Sequence, residues 1–233
     1  MHRNRDQSSQ WSHEVAGRRS GERWISAGEA VTASLIVIGH SVWHVLPNSL
    51  PILFAMALIS FRLREGSWTA MGLGLPKSWT RTVFIAIAAV VLQQALGQFV
   101  VDPLTHPFLH YSARANPLEG LHGPFMLLRW LGIIWTYAAF GEEISYRGYL
   151  LNRVADLGSR SRTALGIGLL WSSILFGFAH WYQGPAGVVS SAVSGIVFGA
   201  AYLLSRKNLW VAVLAHGLSD SLALLATYLG VAG

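Results

Sequence analysis

The sequence predicts an all-α, polytopic bundle of about seven transmembrane helices, and three observations lead to this fold class. Hydrophobic residues make up 52% of the chain, whereas charged residues make up only 12%, about half of the roughly 25% found in average globular proteins. The mean hydropathy is +0.42. The apolar residues form runs near the roughly 20 residues that cross a bilayer. We therefore expect an integral, multi-pass membrane protein whose surroundings are the lipid bilayer.

The predicted spans follow a polar and basic segment at the start of the chain. Residues 1–23 are expected to be a disordered tail, and residues 24–233 a transmembrane domain. The second span is short by the 20-residue criterion. The seven spans are 25–46, 49–62, 80–101, 124–145, 163–182, 186–204 and 208–231.

The basic residues predict the orientation of the bundle. Fifteen of the seventeen Lys and Arg residues lie in the tail and in segments 62–81, 147–162 and 205–208, all on one side of a seven-span bundle. Because Lys and Arg mark the cytoplasmic side, the N-terminus is predicted to be cytoplasmic and the C-terminus external. This pattern accounts for the net charge of +6, so nucleic acid is not an expected partner. A chain with this charge pattern and without a targeting signal suits a prokaryotic plasma membrane.

The first candidate site residues lie at the end of the fourth apolar run. An ionisable group at a helix centre adds about 2.5–3.5 kcal/mol to membrane insertion, so such groups mark function by default. Glu143 and Arg147 are four residues apart and can pair on one helix face. Glu142 is rotated by about 100° from Glu143 and has no local cation, which suits a general base. The alternative is that the span ends at Phe140 and the charges are solvated.

Two further spans carry ionisable residues. Phe176 and His180 form an F-x-x-x-H pattern in an otherwise uncharged run, and His216 and Asp220 are spaced to share a helix face. Each cluster alone is also explained by a packing or hydrogen-bonded histidine. Because buried ionisable groups on separate spans face the bundle interior and pair with one another, the clusters together predict an acid–base site or a metal site with nitrogen and oxygen ligands. The chain has no cysteine, which excludes thiolate chemistry.

In this order, the three clusters resemble the motifs of the CPBP family of intramembrane proteases. That family includes the type II CAAX prenyl endopeptidases and the bacteriocin-processing or immunity (Abi) proteins. The motifs are E-E-x-x-x-R at 142–147, F-x-x-x-H at 176–180 and H-x-x-x-N/D at 216–220. The resemblance covers about residues 70–225, and its motif-bearing core is about 124–225.

The resemblance implies an intramembrane endopeptidase that hydrolyses a peptide bond with carboxylate-activated water and requires no cofactor. It implies that Glu142 is the base, that His180 shares its water, and that His216 and residue 220 stabilise the oxyanion. Position 220 is Asp, where Asn is the better donor. Two roles therefore stay open for Asp220: a protonated donor, or a charged acceptor that orients His216.

The other motif residues have supporting roles on this resemblance. Glu143 and Arg147 are implied to be a structural pair, and Phe176 supports the second motif. The predicted boundaries place Glu142 near the end of its span and His180 far into the next, so the two would miss each other. A fourth helix that continues to about residue 157 would bring them closer together.

Several alternatives stay open. One is a zinc-dependent metalloprotease with Glu142, His180 and His216 as ligands, although H-E-x-x-H is absent. Others are a non-catalytic bacteriocin-immunity or membrane scaffold protein, and a proton or ion path. The substrate is expected to be a peptide or a membrane protein. Gly195 and Gly199 form a G-x-x-x-G pattern, which indicates close packing within the chain or the contact face of an oligomer.

Overall fold

The structure is a computed structural model that describes residues 3–66, 68–112 and 123–231, with the side chains of residues 3–20 and 68 left out. Within these ranges the regular structure is entirely helical and contains no strand, which confirms the all-α prediction. Short 3₁₀ turns occur at Trp68–Met71 and Trp181–Gln183. The helices are α1 (Arg3–Ser41), α2 (Leu50–Arg64), α3 (Trp79–Thr105), α4 (123–156), α5 (Arg162–Ala179), α6 (Gly184–Leu204) and α7 (Leu209–Tyr228).

Several of these helices have the length and composition of membrane spans, so the chain is an integral membrane protein. Helix α2 has 15 residues, fewer than the roughly 20 needed to cross the bilayer. The exact number of spans, expected to be about seven, stays a prediction. Within the described residues, four segments are long and apolar enough to cross a membrane, namely Trp79–Thr105, Arg162–Ala179, Trp181–Leu204 and Leu209–Tyr228.

Helix α1 begins at Arg3, inside the segment for which the sequence predicts a disordered tail. Its packing against the bundle comes later, through the small buried residues Ala30, Ala33 and Val37. These residues lie beyond position 23. The division into a tail and a transmembrane domain at that position stays a prediction.

Helix α4 continues well past residue 145, where the sequence placed the end of its span. The segments Gly123–Ile133, Ile134–Glu142, Ile144–Leu150 and Leu151–Asp156 follow one another without a break. That predicted end is therefore wrong, and the longer helix to about residue 157 is the one that forms. The two middle segments are π-helical, with i→i+5 hydrogen bonds, a geometry that is rare and frequently found at functional sites.

The C-terminal half of α4 is the centre of the bundle. Every residue from 143 to 155 is buried, so this stretch faces protein on all sides, as expected for a core helix. Helices α1, α2, α5 and α7 all pack against α4. A charge in this stretch therefore needs a partner within the protein, because neither water nor the lipid headgroups reach it.

The small residues of α6 allow close packing on α5. A Cβ atom on Gly195 would lie 3.0 Å from the Cα of Ser173, and one on Gly199 would lie 2.4 Å from a methyl carbon of Leu169. The G-x-x-x-G face is thus occupied within the chain. This arrangement gives no support to an oligomer through Gly195 and Gly199.

The contact between α4 and α5 yields a stability prediction with a matched control on one helix. A Cβ atom on Gly168 would lie 2.4 Å from the carbonyl oxygen of Leu151, so Gly168→Ala forces the two helices apart. We expect it to lower the free energy of unfolding by about 1–3 kcal/mol, the usual cost of overpacking. Thermal unfolding of the purified protein in detergent measures the effect.

Gly166 is the control for this experiment. No heavy atom lies within 4 Å of a Cβ placed there, and alanine is the better helix former by about 0.5–1 kcal/mol. Gly166→Ala should therefore leave the unfolding temperature unchanged or raise it slightly. Equal destabilisation by both substitutions would contradict the described contact between α4 and α5.

Candidate active site

A fully buried ion pair lies at the centre of the site. Arg147 donates a hydrogen bond of 2.7 Å to Oε1 of Glu143, and the side chains are 1% and 0% exposed. The guanidinium group lies 4.4 Å from the centre of the Phe176 ring and contacts the carbonyl oxygen of Gly195 at 3.4 Å. Arg147 therefore connects α4 to α5 and α6, and its charge is neutralised where no water reaches it.

The same carboxylate oxygen binds a histidine from α7. Nδ1 of His216 donates a hydrogen bond of 2.8 Å to Oε1 of Glu143. The sequence assigned Glu143 to Arg147 alone, because that pair is four residues apart and the contact with His216 joins distant parts of the chain. Because Nδ1 is the donor, Nε2 is the nitrogen that His216 turns toward the other acidic groups.

Two further carboxylates lie near Nε2 of His216. Oδ2 of Asp220 is 3.4 Å from this nitrogen, and Oε2 of Glu142 is 3.9 Å from it. The side chain of Glu142 is 17% exposed and that of Asp220 is 39% exposed. The site thus has a buried side, with Glu143 and Arg147, and an accessible side, with Asp220.

His180 lies where α5 ends and caps that helix. Its Nδ1 donates a hydrogen bond of 2.8 Å to the carbonyl oxygen of Phe176, which leaves Nε2 as the nitrogen available to a ligand. The Phe176 ring packs between the two imidazoles, with its centre 4.7 Å from that of His180 and 5.8 Å from that of His216. Glu142 interacts electrostatically with both histidines.

The extension of α4 removes the mismatch in depth expected from the sequence. At about 1.5 Å per residue, Glu142 lies about 21 Å from the end of α4 at residue 156, and His180 about 27 Å from the start of α5. Since the two helices are joined by the short turn 157–161, both residues lie at a similar height in the bundle. Every site residue named from the sequence belongs to this region: Glu142, Glu143, Arg147, Phe176, His180, His216 and Asp220.

Comparison with known proteins agrees with this arrangement. Residues 124–222 match the family model for type II CAAX prenyl endopeptidase Rce1-like proteins. The motif-bearing region of this chain is therefore similar to the CAAX proteases. The resemblance stated from the sequence is thereby confirmed over this region, and the family that it matches is one of endopeptidases. No curated protein and no solved structure matches the chain.

The CPBP motifs have aromatic neighbours that the sequence did not single out. Phe198 of α6 stacks on the His216 ring, with centres 5.8 Å apart. Tyr146 packs edge-on against Phe176, with centres 5.2 Å apart. Tyr146 lies within the first motif, so its position was a usable signal. Phe198 is one of several apolar residues in α6, and nothing in its local pattern marks it.

The residues of the three CPBP motifs form what we call the CPBP site. Two of its carboxylate oxygens are buried without a hydrogen bond among the described residues. They are Oε2 of Glu142 and Oε2 of Glu143. A buried acceptor without a partner is costly, by about 1–3 kcal/mol or more for a charged group, and such atoms mark places where water or substrate binds. Oε2 of Glu142 is also the oxygen that faces Nε2 of His216, so this acceptor points into the cluster.

The residues suggested for zinc do not have the arrangement of a metal site. Within the described ranges, no three His, Asp or Glu side chains are placed to hold a metal ion. The Nδ1 atoms of His180 and His216 bind within the protein, which leaves each Nε2 available to a ligand, as in histidines that bind metals. The nearest carboxylate to Nε2 of His216 comes from Asp220, which was not among the ligands suggested from the sequence. A zinc site formed by Glu142, His180 and His216 stays an alternative prediction.

An apolar cavity of about 380 Å³ lies beside the first CPBP motif. Ile144, which follows the two glutamates directly, forms part of its wall. The cavity is large enough for a bulky hydrophobic side chain or a short apolar segment. Its lining consists of Phe54, Leu58, Leu73, Phe140, Ile144 and Trp210.

The buried ion pair yields a second stability prediction. Arg147→Met removes the cation and leaves Glu143 buried with His216 as its partner, so we expect the free energy of unfolding to fall by about 3–5 kcal/mol. The double substitution Arg147→Met/Glu143→Gln removes both charges and should recover part of this loss. Thermal unfolding in detergent measures all three variants against wild type.

Arg162 provides the control for the loss of an arginine. It is exposed at the start of α5, and Arg162→Met should change the free energy of unfolding by no more than about 0.5 kcal/mol. A double variant less stable than Arg147→Met alone would show that Glu143 is not left unpaired by loss of the arginine.

Proposed function

We propose that this protein is an intramembrane endopeptidase in which Glu142 activates the water molecule that attacks the peptide bond. The observation that carries the proposal is the position of Glu142. Its free oxygen, Oε2, is buried, has no hydrogen-bond partner among the described residues and faces Nε2 of His216 at 3.9 Å. Glu143, by contrast, already binds Arg147 and His216 and is the less available base.

In the proposed reaction, Glu142 takes a proton from water and the resulting hydroxide attacks the carbonyl carbon of the scissile bond. His180 holds the same water through Nε2, since its Nδ1 is used by Phe176. The proton on Glu142 then passes to the amide nitrogen as the carbon–nitrogen bond breaks. The products are a carboxylic acid and an amine. A positioned general base of this kind contributes about 10²–10⁴-fold to the rate.

His216, with a proton on each ring nitrogen, is the proposed donor to the oxyanion through Nε2. Glu143 accepts the hydrogen bond from Nδ1, which fixes the ring and directs Nε2 toward the reacting carbonyl. Asp220 lies 3.4 Å from Nε2, which favours the second of its two roles, that of a charged acceptor that orients His216. Arg147 holds Glu143 in place and takes no part in proton transfer.

The proposed substrate is a peptide or membrane protein that enters from the bilayer. The apolar cavity beside Ile144 supports a substrate with an apolar segment next to the cleaved bond. We further propose a prokaryotic plasma membrane with the N-terminus in the cytoplasm, because fourteen of the seventeen Lys and Arg residues, counted without the buried Arg147, lie on one side of a seven-span arrangement.

The first functional prediction concerns the base. Glu142→Gln removes the proton acceptor and should reduce cleavage by about 10²–10⁴-fold while leaving the unfolding temperature near that of wild type. Wild-type protein and the variant are expressed in the same host, and new N-termini in the membrane fraction are quantified by mass spectrometry. We expect cleavage sites that occur with wild type and disappear with Glu142→Gln.

Two controls make this result specific. Glu22 is exposed, and Glu22→Gln should leave cleavage unchanged. Treatment of purified wild-type protein with a chelator should also leave cleavage of a confirmed substrate unchanged, whereas loss and zinc-dependent recovery would favour the metalloprotease alternative. Unchanged cleavage by Glu142→Gln overturns the proposal, and no cleavage even by wild type would favour a non-catalytic immunity or scaffold protein.

The second functional prediction separates the two roles of Asp220. As a charged acceptor that orients His216, it should not tolerate loss of its charge, so Asp220→Asn should lower kcat with little change in KM. If Asp220 is instead an oxyanion donor, asparagine at position 220 would serve at least as well, and kcat would be maintained or raised. Steady-state cleavage of a confirmed peptide substrate distinguishes the outcomes, and Asp102→Asn, outside the site, is the control for loss of an aspartate.

A further inference from the structure

A second cavity, of about 400 Å³, lies at one end of the bundle, between the loop that joins α2 to α3 and the turn that joins α6 to α7. We call it the basic cavity. It is lined by four cationic residues and by no Asp or Glu. The cationic residues are Lys77, Arg81, Arg206 and Lys207.

This excess of positive charge is specific to the basic cavity and does not extend over the whole end of the molecule. A neighbouring cluster combines three arginines with three carboxylates in a network of ion pairs, so its charges balance. Its members are Arg64, Arg153 and Arg160, with Glu29, Glu65 and Asp156. At this end of the bundle, some basic residues are therefore paired with carboxylates, whereas others are not.

Within the described residues, the cations of the basic cavity form no ion pair with an acidic side chain. Nζ of Lys207 donates a hydrogen bond of 2.8 Å to the neutral amide oxygen of Asn152, and no ion pair involves the other three cations. Burial and the nearby charge of Arg160 lower the pKa of Lys207, although Asp156 acts in the opposite direction. An anion bound in the cavity would compensate the positive charge of its four cationic residues.

Two helices begin at the wall of the basic cavity and add to its positive potential. Ser78 caps α3, and its hydroxyl accepts a hydrogen bond of 3.2 Å from the amide of Arg81. Asn208 caps α7 and also donates a hydrogen bond of 3.0 Å to Thr82 of α3. The first turn of a helix carries a partial positive charge and unpaired N–H groups, which favour anions such as phosphate.

The two loops that form the cavity are held together tightly. The amide of Leu209 donates a hydrogen bond of 2.9 Å to the carbonyl oxygen of Gly72. Gly72 has φ of +85°, and a Cβ there would lie 2.1 Å from the carbonyl oxygen of Lys207. Arg206 and Lys207 have φ of +60° and +61°, the left-handed conformation that commonly ends a helix, here α6.

Aromatic residues place this end of the bundle at the level of lipid headgroups. Trp79 is the first residue of α3 and Trp210 the second of α7, and their rings pack together with centres 5.9 Å apart. Tryptophan is enriched where the hydrocarbon region meets the headgroups. The same end carries the loops that the positive-inside rule assigns to the cytoplasm, where the membrane surface is anionic.

We propose that the basic cavity binds a phosphate group, either the headgroup phosphate of an anionic phospholipid or free phosphate. Arg81 and Arg206 offer planar guanidinium groups that can bind phosphate oxygens in pairs. Lys77 and Lys207 add point charges, and the first turns of α3 and α7 add a partial positive charge. This site is separate from the CPBP site and does not depend on the proposed protease activity.

The proposal is tested by lipid binding to the purified full-length protein in mild detergent. Binding of phosphatidylglycerol and of phosphatidylcholine is compared by native mass spectrometry and by the shift in unfolding temperature. We expect phosphatidylglycerol to bind more tightly and to stabilise the protein more. Arg81→Gln/Arg206→Gln should weaken phosphatidylglycerol binding by about 100-fold, since each direct hydrogen bond to a charged group contributes about tenfold.

Arg62→Gln/Arg162→Gln is the matched control, because these exposed arginines lie at the same end of the bundle and outside the basic cavity. It removes the same charge and should leave lipid affinity within about twofold of wild type, since each cation outside the cavity contributes little. Equal loss in both double variants would show general attraction to the surface and overturn the proposal. If the cavity variant does not fold, Lys77→Gln replaces it in the same comparison.

Inorganic phosphate distinguishes the two sources of the ligand. Stabilisation of the wild-type protein by millimolar phosphate without lipid, lost in Arg81→Gln/Arg206→Gln, assigns the site to a small phosphate compound. Stabilisation by phosphatidylglycerol alone assigns it to a lipid headgroup. If neither phosphate nor phosphatidylglycerol stabilises the wild-type protein more than phosphatidylcholine does, no phosphate site exists and the proposal fails.

Discussion

One carboxylate oxygen, Oε1 of Glu143, holds the site together. It accepts a hydrogen bond of 2.7 Å from Arg147 and one of 2.8 Å from His216. Through these contacts α4 is tied to α7, and Arg147 extends the connection to Phe176 of α5. Because a buried charge without a partner costs several kcal/mol, the helices cannot shift relative to one another without a large penalty. The position of Glu142, the neighbouring residue, is thereby fixed as well.

The all-helical fold could be predicted from hydropathy and periodicity, but the extent of α4 could not. Hydropathy ends a span where charges begin, and it placed the end of this one at 145. The helix continues because residues 143–155 are buried by other helices, and their polar groups find partners there. Asn152, for example, donates hydrogen bonds to the carbonyl oxygens of Arg147 and Gly148 and to the hydroxyl of Tyr202. Such partners depend on tertiary packing, which the hydropathy of a short sequence window does not report.

The candidate site was predictable to the extent that its contacts are local. Glu143 with Arg147 and His216 with Asp220 are pairs four residues apart, and helix geometry alone brings their side chains together. The contact between Glu143 and His216 joins residues 73 positions apart, and no spacing rule reports it. The family motifs indicated that these residues belong together, but they did not indicate that Glu143 bonds to His216 as well as to Arg147. Phe198 had no signal of either kind.

The pairing of Glu143 with Arg147 inside one helix has a consequence for how the protein is made. Membrane helices are inserted in chain order, and α4 reaches the bilayer before α7 supplies His216. During that interval Glu143 can be neutralised by Arg147 one turn away, so α4 is not left with two separate charges in the hydrocarbon region. Assembly of the cluster then waits for α7. A nascent chain would therefore hold Glu143 as a paired charge in the membrane while lacking the histidine that completes the cluster, and the cluster would form only once the bundle had closed.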